Sequence, residues 1–136
     1  MEINGTTAII GDLVLKNSSD NLFLMCLFIL IITSLLSGFL DNLPVTVLFI
    51  PIIGLMATNA GLGLTPLLIA FILGINLGGN FLPQGAACDM MTLELAKREN
   101  VEDMNYKKLT KVGGLFALLH IILGIFYLGI LIFLFY

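Results

Sequence analysis

The chain has 136 residues, of which 59% are hydrophobic and 11% charged, with a net charge of −3 and a mean hydropathy of +1.09. Six basic and nine acidic side chains cannot cover a water-soluble domain, in which roughly 25% of residues are charged; a disordered tail would be more polar still, and a nucleic-acid binder would need a basic face. The chain reads as an integral membrane protein.

Residues 1–20 hold one basic residue, Lys16, and no charged-then-apolar pattern of a secretory signal; they are expected on the outer side. The first apolar run, Asn21 to Leu40, has the roughly 20 residues that a crossing of about 30 Å requires. The run from Val45 to Thr58 is shorter, about 21 Å of helix, and lies between Asp41-Asn42-Leu43-Pro44 and the loop Asn59-Ala60-Gly61-Leu62-Gly63. Together these runs predict a re-entrant helical hairpin over 21–58 with its tip near 40–44.

From Thr65 an apolar run reaches Leu77 and meets Gly78-Gly79-Asn80-Phe81-Leu82-Pro83-Gln84-Gly85. Another short run follows to about Lys97. Residues 65–97 therefore read as one broken transmembrane helix with its gap at 78–85. Within this stretch Gly74 and Gly78 have the spacing of a close helix contact.

Five of the six basic residues, Lys97, Arg98, Lys107, Lys108 and Lys111, fall in 97–111. Short loops rich in Lys and Arg stay in the cytoplasm, so the loop 98–111 is expected inside, with a short amphipathic helix around Met104–Thr110 on the inner surface. Residues 112–136 form a full C-terminal transmembrane helix running outward, interrupted only by His120, which is expected to hydrogen-bond a neighbouring helix. The C-terminus is then outside, and the hairpin opens outward too. The fold class is an all-α, multi-pass protein of the cell membrane. Cys26 and Cys88 read as small buried hydrophobes rather than a disulfide or metal pair.

Two breaks in regular backbone at mid-depth need a reason, because open N–H and C=O groups cannot face lipid. Pro44 and Pro83 are read as the helix breaks, and Asn42 and Asn80 have amides that can cap freed backbone groups. Half-helix N-terminal ends favour anions, and C-terminal ends offer carbonyls to sodium or to proton donors. Asp41 is expected to be costly in hydrocarbon, about 2.5–3.5 kcal/mol on insertion scales, and is read as a cation ligand or proton-carrying carboxylate, a role compatible with capping the Pro44 arm. Asp89, Ser37 and Gln84 are candidate vestibule liners, and Thr46 a further polar liner. No P-loop, metal-ligand cluster or nucleophile–base constellation is visible, so no enzyme chemistry and no cofactor are expected beyond Na+ or H+ as coupling ion.

At these two places the sequence resembles the ion transporter superfamily that holds arsenite permeases, NhaD-type sodium–proton antiporters, citrate transporters and divalent anion–sodium symporters. Ser37-Gly38-Phe39-Leu40-Asp41-Asn42-Leu43-Pro44 resembles the family's hairpin tip, a small residue followed by Asp-Asn-x-Pro. Leu73 through Asn80, continuing to Pro83-Gln84-Gly85-Ala86-Ala87, is similar to its second break. The pattern departs at Cys88-Asp89 and at Gln84. The resemblance implies that Asn42, Thr46, Asn80 and nearby backbone, including Gly78, Gly79 and Gly85, bind the coupling ion or substrate, with a sodium ion at Asn42 and Asn80. Such proteins contain two inverted repeats, each with a hairpin and a broken helix, and this chain corresponds to the C-terminal one. The expected partners are the lipid bilayer, a small ion substrate and a complementary N-terminal half, either a separate protein or the remainder of a longer chain; no nucleic-acid partner is expected. The alternative is a non-transporting membrane subunit or scaffold with kinked helices.

Overall fold

The computed structural model describes residues 21–61 and 63–136; the segment 1–20, with Lys16, lies outside the described residues. Among the described residues five α-helices follow one another: α1 (Leu22–Phe39), α2 (Asn42–Ala60), α3 (Leu64–Gly78), α4 (Ala87–Arg98) and α5 (Tyr106–Phe135), with a 3-10 turn (Pro83–Gly85) between α3 and α4. Two of them, α1 and α5, are long and apolar enough to cross a membrane.

The helix ends follow from local chemistry. Asn21 caps α1 by accepting from the Phe23 N–H (3.0 Å), and Asp41 caps α2 by accepting from the adjacent Asn42 N–H (2.8 Å). Between them Leu40 and Asp41 are both extended, with ψ near 149°. Pro44 does not break the helix as the sequence suggested. It is the third residue of α2, inside the first turn, where its missing N–H has no intrahelical acceptor to lose. Thus α2 starts at Asn42 and has 19 residues, about 28 Å, more than the Val45–Thr58 run implied. Its interior proline is Pro51, which the sequence reading passed over; that ring denies the Val47 carbonyl its usual partner. Gly61, at φ +61°, ends α2 in the left-handed conformation that glycine adopts without strain. Pro83 opens the 3-10 turn at its first position.

The C-terminal region differs from expectation. No separate surface helix covers Met104–Thr110: α5 begins at Tyr106 and runs 30 residues without a break. Asn105 accepts from the Lys108 N–H (2.9 Å) and caps that start, so the helix nucleates before the lysines. The connection to α4 is only 99–105, with Asn100 and Asp103 at positive φ.

α1 packs most extensively on α3, and the reason is the glycines. A Cβ placed on Gly74 would lie 2.0 Å from Thr33 Oγ1 and 2.8 Å from the Leu30 carbonyl oxygen; one on Gly78 would lie 2.1 Å from the Ser34 carbonyl oxygen. Contacts rise in number together along both helices, so α1 and α3 run parallel, and α2 is the return arm between them. α5 runs the other way: Gly113 meets the Asn80 carbonyl, Gly124 meets Leu77 and Leu30, Gly129 meets Phe23, and Tyr136 meets Gly63. The ends that begin α1 and α3 and finish α5 therefore share one side. The core, with Met25, Ile29, Ile52, Ile53, Leu67 and Leu128 wholly buried, fills the space between α1, α2, α3 and α5, and Phe49 stacks on Phe71 at 6.2 Å. Two buried hydroxyls are satisfied within their own helix, Thr33 donating to the Ile29 carbonyl and Ser34 to the Leu30 carbonyl, both at 2.6 Å.

The glycine seam makes a stability prediction. Gly78→Ala should lower the unfolding free energy by about 1–3 kcal/mol, because the obstacle is backbone and cannot step aside. Gly54→Ala, where nothing lies within 4 Å, should be neutral or raise stability by up to about 1 kcal/mol. Melting temperatures of the two variants in detergent should move in opposite directions or differ by several degrees.

Candidate functional site

Both interruptions of the backbone meet at one junction. It is made by the end of α1, the start of α2, the end of α3 and the 3-10 turn. α1 makes its last backbone bond from Leu40 N–H to the Leu36 carbonyl, so the carbonyls of Ser37 and Gly38 that follow lack an intrahelical donor. Ser37 is wholly buried; its hydroxyl donates to Asn42 Oδ1 and contacts the Ile75 carbonyl oxygen at 2.7 Å. The Ile75 carbonyl also accepts from the Gly79 N–H (3.3 Å).

Gly85 closes the cluster. A Cβ on it would lie 2.5 Å from the Ser37 carbonyl oxygen, 2.6 Å from that of Gly79 and 3.2 Å from that of Gly38. Only a residue without a side chain allows three carbonyl oxygens to approach so closely. Gly79 borders the same space, its Cβ position lying 3.4 Å from Asn42 Oδ1 and 3.5 Å from both the Gly85 and Ile75 carbonyl oxygens. The junction is thus rich in acceptors drawn from the negative ends of two helix dipoles, the setting in which discontinuous helices coordinate a hard cation.

Of the residues singled out in the sequence, Ser37, Asn42, Gly79 and Gly85 come together here. Gly78 contributes differently, as the point of closest helix approach, while its carbonyl accepts from Phe81 N–H at 3.0 Å. Thr46 lies one turn along α2, its hydroxyl donating to the Asn42 carbonyl (2.8 Å). Asp41 is exposed, and its carboxylate accepts from the Asn42 N–H (2.8 Å) as the helix cap. Asn80 is exposed; its side-chain amide makes no hydrogen bond among the described residues, and its carbonyl points at Gly113. Gln84 is exposed and accepts from the Tyr106 hydroxyl, joining the turn to the start of α5. Asp89 is half-buried in the first turn of α4, where an acidic group suits the helix dipole.

Three further differences stand out. Cys88 is exposed while Cys26 is buried, because Cys88 sits at the second position of α4, a helix whose buried residue is Ala96. His120 lies on the exposed face of α5 beside Phe116, at 6.1 Å between ring centroids, and not against a neighbouring helix. The junction is level with Gly113, two residues past Lys111, and so lies toward the charged end of α5 rather than the apolar middle expected from mid-depth breaks. The sequence reading also missed Gly38, Ile75 and Tyr106. A small residue beside Ser37 hinted at Gly38; the Ile75 carbonyl is a backbone group and leaves no signature in residue type.

The cap makes a prediction of its own. Asp41→Asn should preserve stability within a few tenths of a kcal/mol, since Asn caps helices as well as Asp, whereas Asp41→Ala should cost about 1 kcal/mol. Thermal melts of both variants against the parent distinguish the cap from any role of the charge.

A family model described as a citrate transporter matches residues 1–136. No curated protein and no solved structure matches the chain.

Proposed function

The chain belongs to the citrate transporter family, and from that membership and the junction's chemistry we propose that it supplies one half of the binding site of an ion-coupled secondary transporter for a small anion, a citrate-like carboxylate first among them. The observation that carries this is the convergence of the Ser37, Gly38, Gly79 and Gly85 carbonyls with the Asn42 amide. Among the described residues these backbone oxygens accept no hydrogen bond, and a bound cation would give them a partner. Sodium is the coupling ion that fits carbonyl and amide oxygens; a proton carried on Asp41 is the other candidate. Asn80, exposed beside the junction, supplies a second amide to the ion when the site is occupied.

The anion is held at the start of α4, since the start of α2 is already capped by the Asp41 carboxylate. α4 has no side-chain cap; its Asp89 N–H already donates to the Ala86 carbonyl (3.1 Å), which leaves the N–H groups of Ala87 and Cys88 for a carboxylate. The rest of the site comes from a complementary N-terminal half, part of the same longer chain or a second protein, as an inverted repeat requires. In the plasma membrane the loop 99–105 and the lysines of α5 face the cytoplasm, and Gly63 and Tyr136, which pack together, face outward. Lys107, Lys108 and Lys111 then lie in the inner interface, and α5, about 45 Å long, exceeds the roughly 30 Å core by the length of that lysine-bearing end.

The test is citrate uptake into proteoliposomes holding the complete transporter, driven by an imposed sodium or proton gradient. Asn42→Ala and Asn80→Ala should each reduce gradient-driven uptake at least about tenfold, the effect of losing one ligand worth about 1.4 kcal/mol. Asp41→Asn should do the same while melting like the parent, if the carboxylate carries charge during transport. Unchanged uptake in all three variants would falsify the site and favour a non-transporting scaffold.

A further inference from the structure

Between Val112 and Phe135 the only side chains of α5 able to hydrogen-bond are His120 and Tyr127. They are seven residues apart. Seven residues before His120 stands Gly113, and seven before that Tyr106. A step of seven is two helical turns less about 20°, so the four positions form one line along α5.

The inner end of that line is engaged with the turn that borders the junction. The Tyr106 hydroxyl donates to Gln84 Oε1, and the Cβ position of Gly113 lies 2.6 Å from the Asn80 carbonyl oxygen. Further along, the line is bare. His120 and Tyr127 are exposed and make no hydrogen bond among the described residues. Phe116, Leu123 and Ile130, each three residues on from a member of the line, are exposed as well. Alternate steps of three and four are the pattern by which one helix seats another, and most membrane bundles cross at the shallow angle this pattern gives.

Hydrocarbon is the wrong cover for this seam. A neutral imidazole has one N–H and one acceptor nitrogen, and a phenol hydroxyl donates and accepts; acyl chains answer none of these. A different face of α5, with Leu115, Leu118, Ile122 and Phe126 exposed, carries only apolar groups and suits lipid. We infer that the His120–Tyr127 line of α5 is the docking seam for a transmembrane helix of the complementary half, one that brings hydrogen-bonding side chains to the levels of His120 and Tyr127. The inference rests on the proposed transporter reading, which calls for that half, and adds where it binds. Because the same line carries the contacts to Gln84 and Asn80, a helix laid along it reaches the open side of the junction. A second copy of this chain, inserted the same way round by its lysines, would bring a second identical junction to that level and not the inverted half that the site lacks.

The experiment places the photo-reactive residue p-benzoyl-phenylalanine at Phe116, Leu123, Ile122 or Phe126, one position per variant, in the complete transporter in its membrane. Adducts are identified by mass spectrometry after illumination, in preparations that mix heavy-isotope and unlabelled copies. Phe116 and Leu123 should capture a segment of the complementary half with a polar side chain within one turn of the adduct, while Ile122 and Phe126 should capture lipid. Lipid adducts from all four positions, heavy–light adducts between copies of this chain, or a captured segment that is apolar at those levels would each overturn the inference. Gradient-driven citrate uptake by the same preparation would then leave the transporter reading standing without it. Failure of uptake, with no complementary half captured at any position, overturns both.

Discussion

In hydrocarbon there is no water to satisfy an open peptide group, and each one left bare costs several kcal/mol. A chain that twice abandons regular helix must therefore answer its own breaks with protein. Here the two breaks answer each other. The end of α1 and the end of α3 are laid side by side, and the buried Ser37 hydroxyl ties one to the other across the Ile75 carbonyl. The extended pair Leu40-Asp41 and the 3-10 turn at Pro83–Gly85 then occupy the same small volume.

What permits this is the absence of side chains along one seam. Gly74 and Gly78 on α3 meet Leu30, Thr33 and Ser34 on α1 at distances where a methyl group would overlap backbone. In lipid there is no hydrophobic drive to bring two helices together, so van der Waals contact between small residues has to supply it. Parallel packing of α1 and α3 follows, and with it the coincidence of their C-terminal ends. Gly85 extends the same logic into the turn, where a side chain would separate three carbonyl oxygens. Packing and site are one set of contacts, so the glycines that hold the fold also define the geometry of the acceptors.

Much of this was visible in residue order. Asp-Asn-x-Pro and Gly-Gly-Asn mark the breaks because capping residues, proline and glycine are the ones that regular helix tolerates least. The long apolar run after Val112 and the sparse charges gave the membrane class. Other features were hidden for definite reasons. A proline is tolerated in the first turn of a helix as well as just past its end, so its position does not by itself reveal that Pro44 lies inside α2 and that the change of direction is at Leu40. The lysines near Tyr106 looked like a surface helix, yet the Asn105 cap and the lack of any breaker through Val112 let α5 absorb them. Which hydroxyl crosses between helices depends on register: Ser34 and Ser37 are three residues apart on α1, but only Ser37 reaches the last turn of α3. Spacing alone does not reveal that.

The arrangement of dipoles bears on coupling. The carbonyl ends of α1 and α3 and the start of α2 meet within one junction, and α4 starts two residues beyond Gly85 of its 3-10 turn, so acceptor-rich and donor-rich backbone lie close together. On the proposed reading a cation settling among the carbonyls raises the local positive potential beside the N–H groups that hold the anion. Each ligand then lowers the cost of admitting the other, and by linkage the benefit is equal in both directions. A site built from separate, distant pockets would lack it. On that reading the coupling needs no moving relay, because the same two breaks in the backbone present both polarities at once.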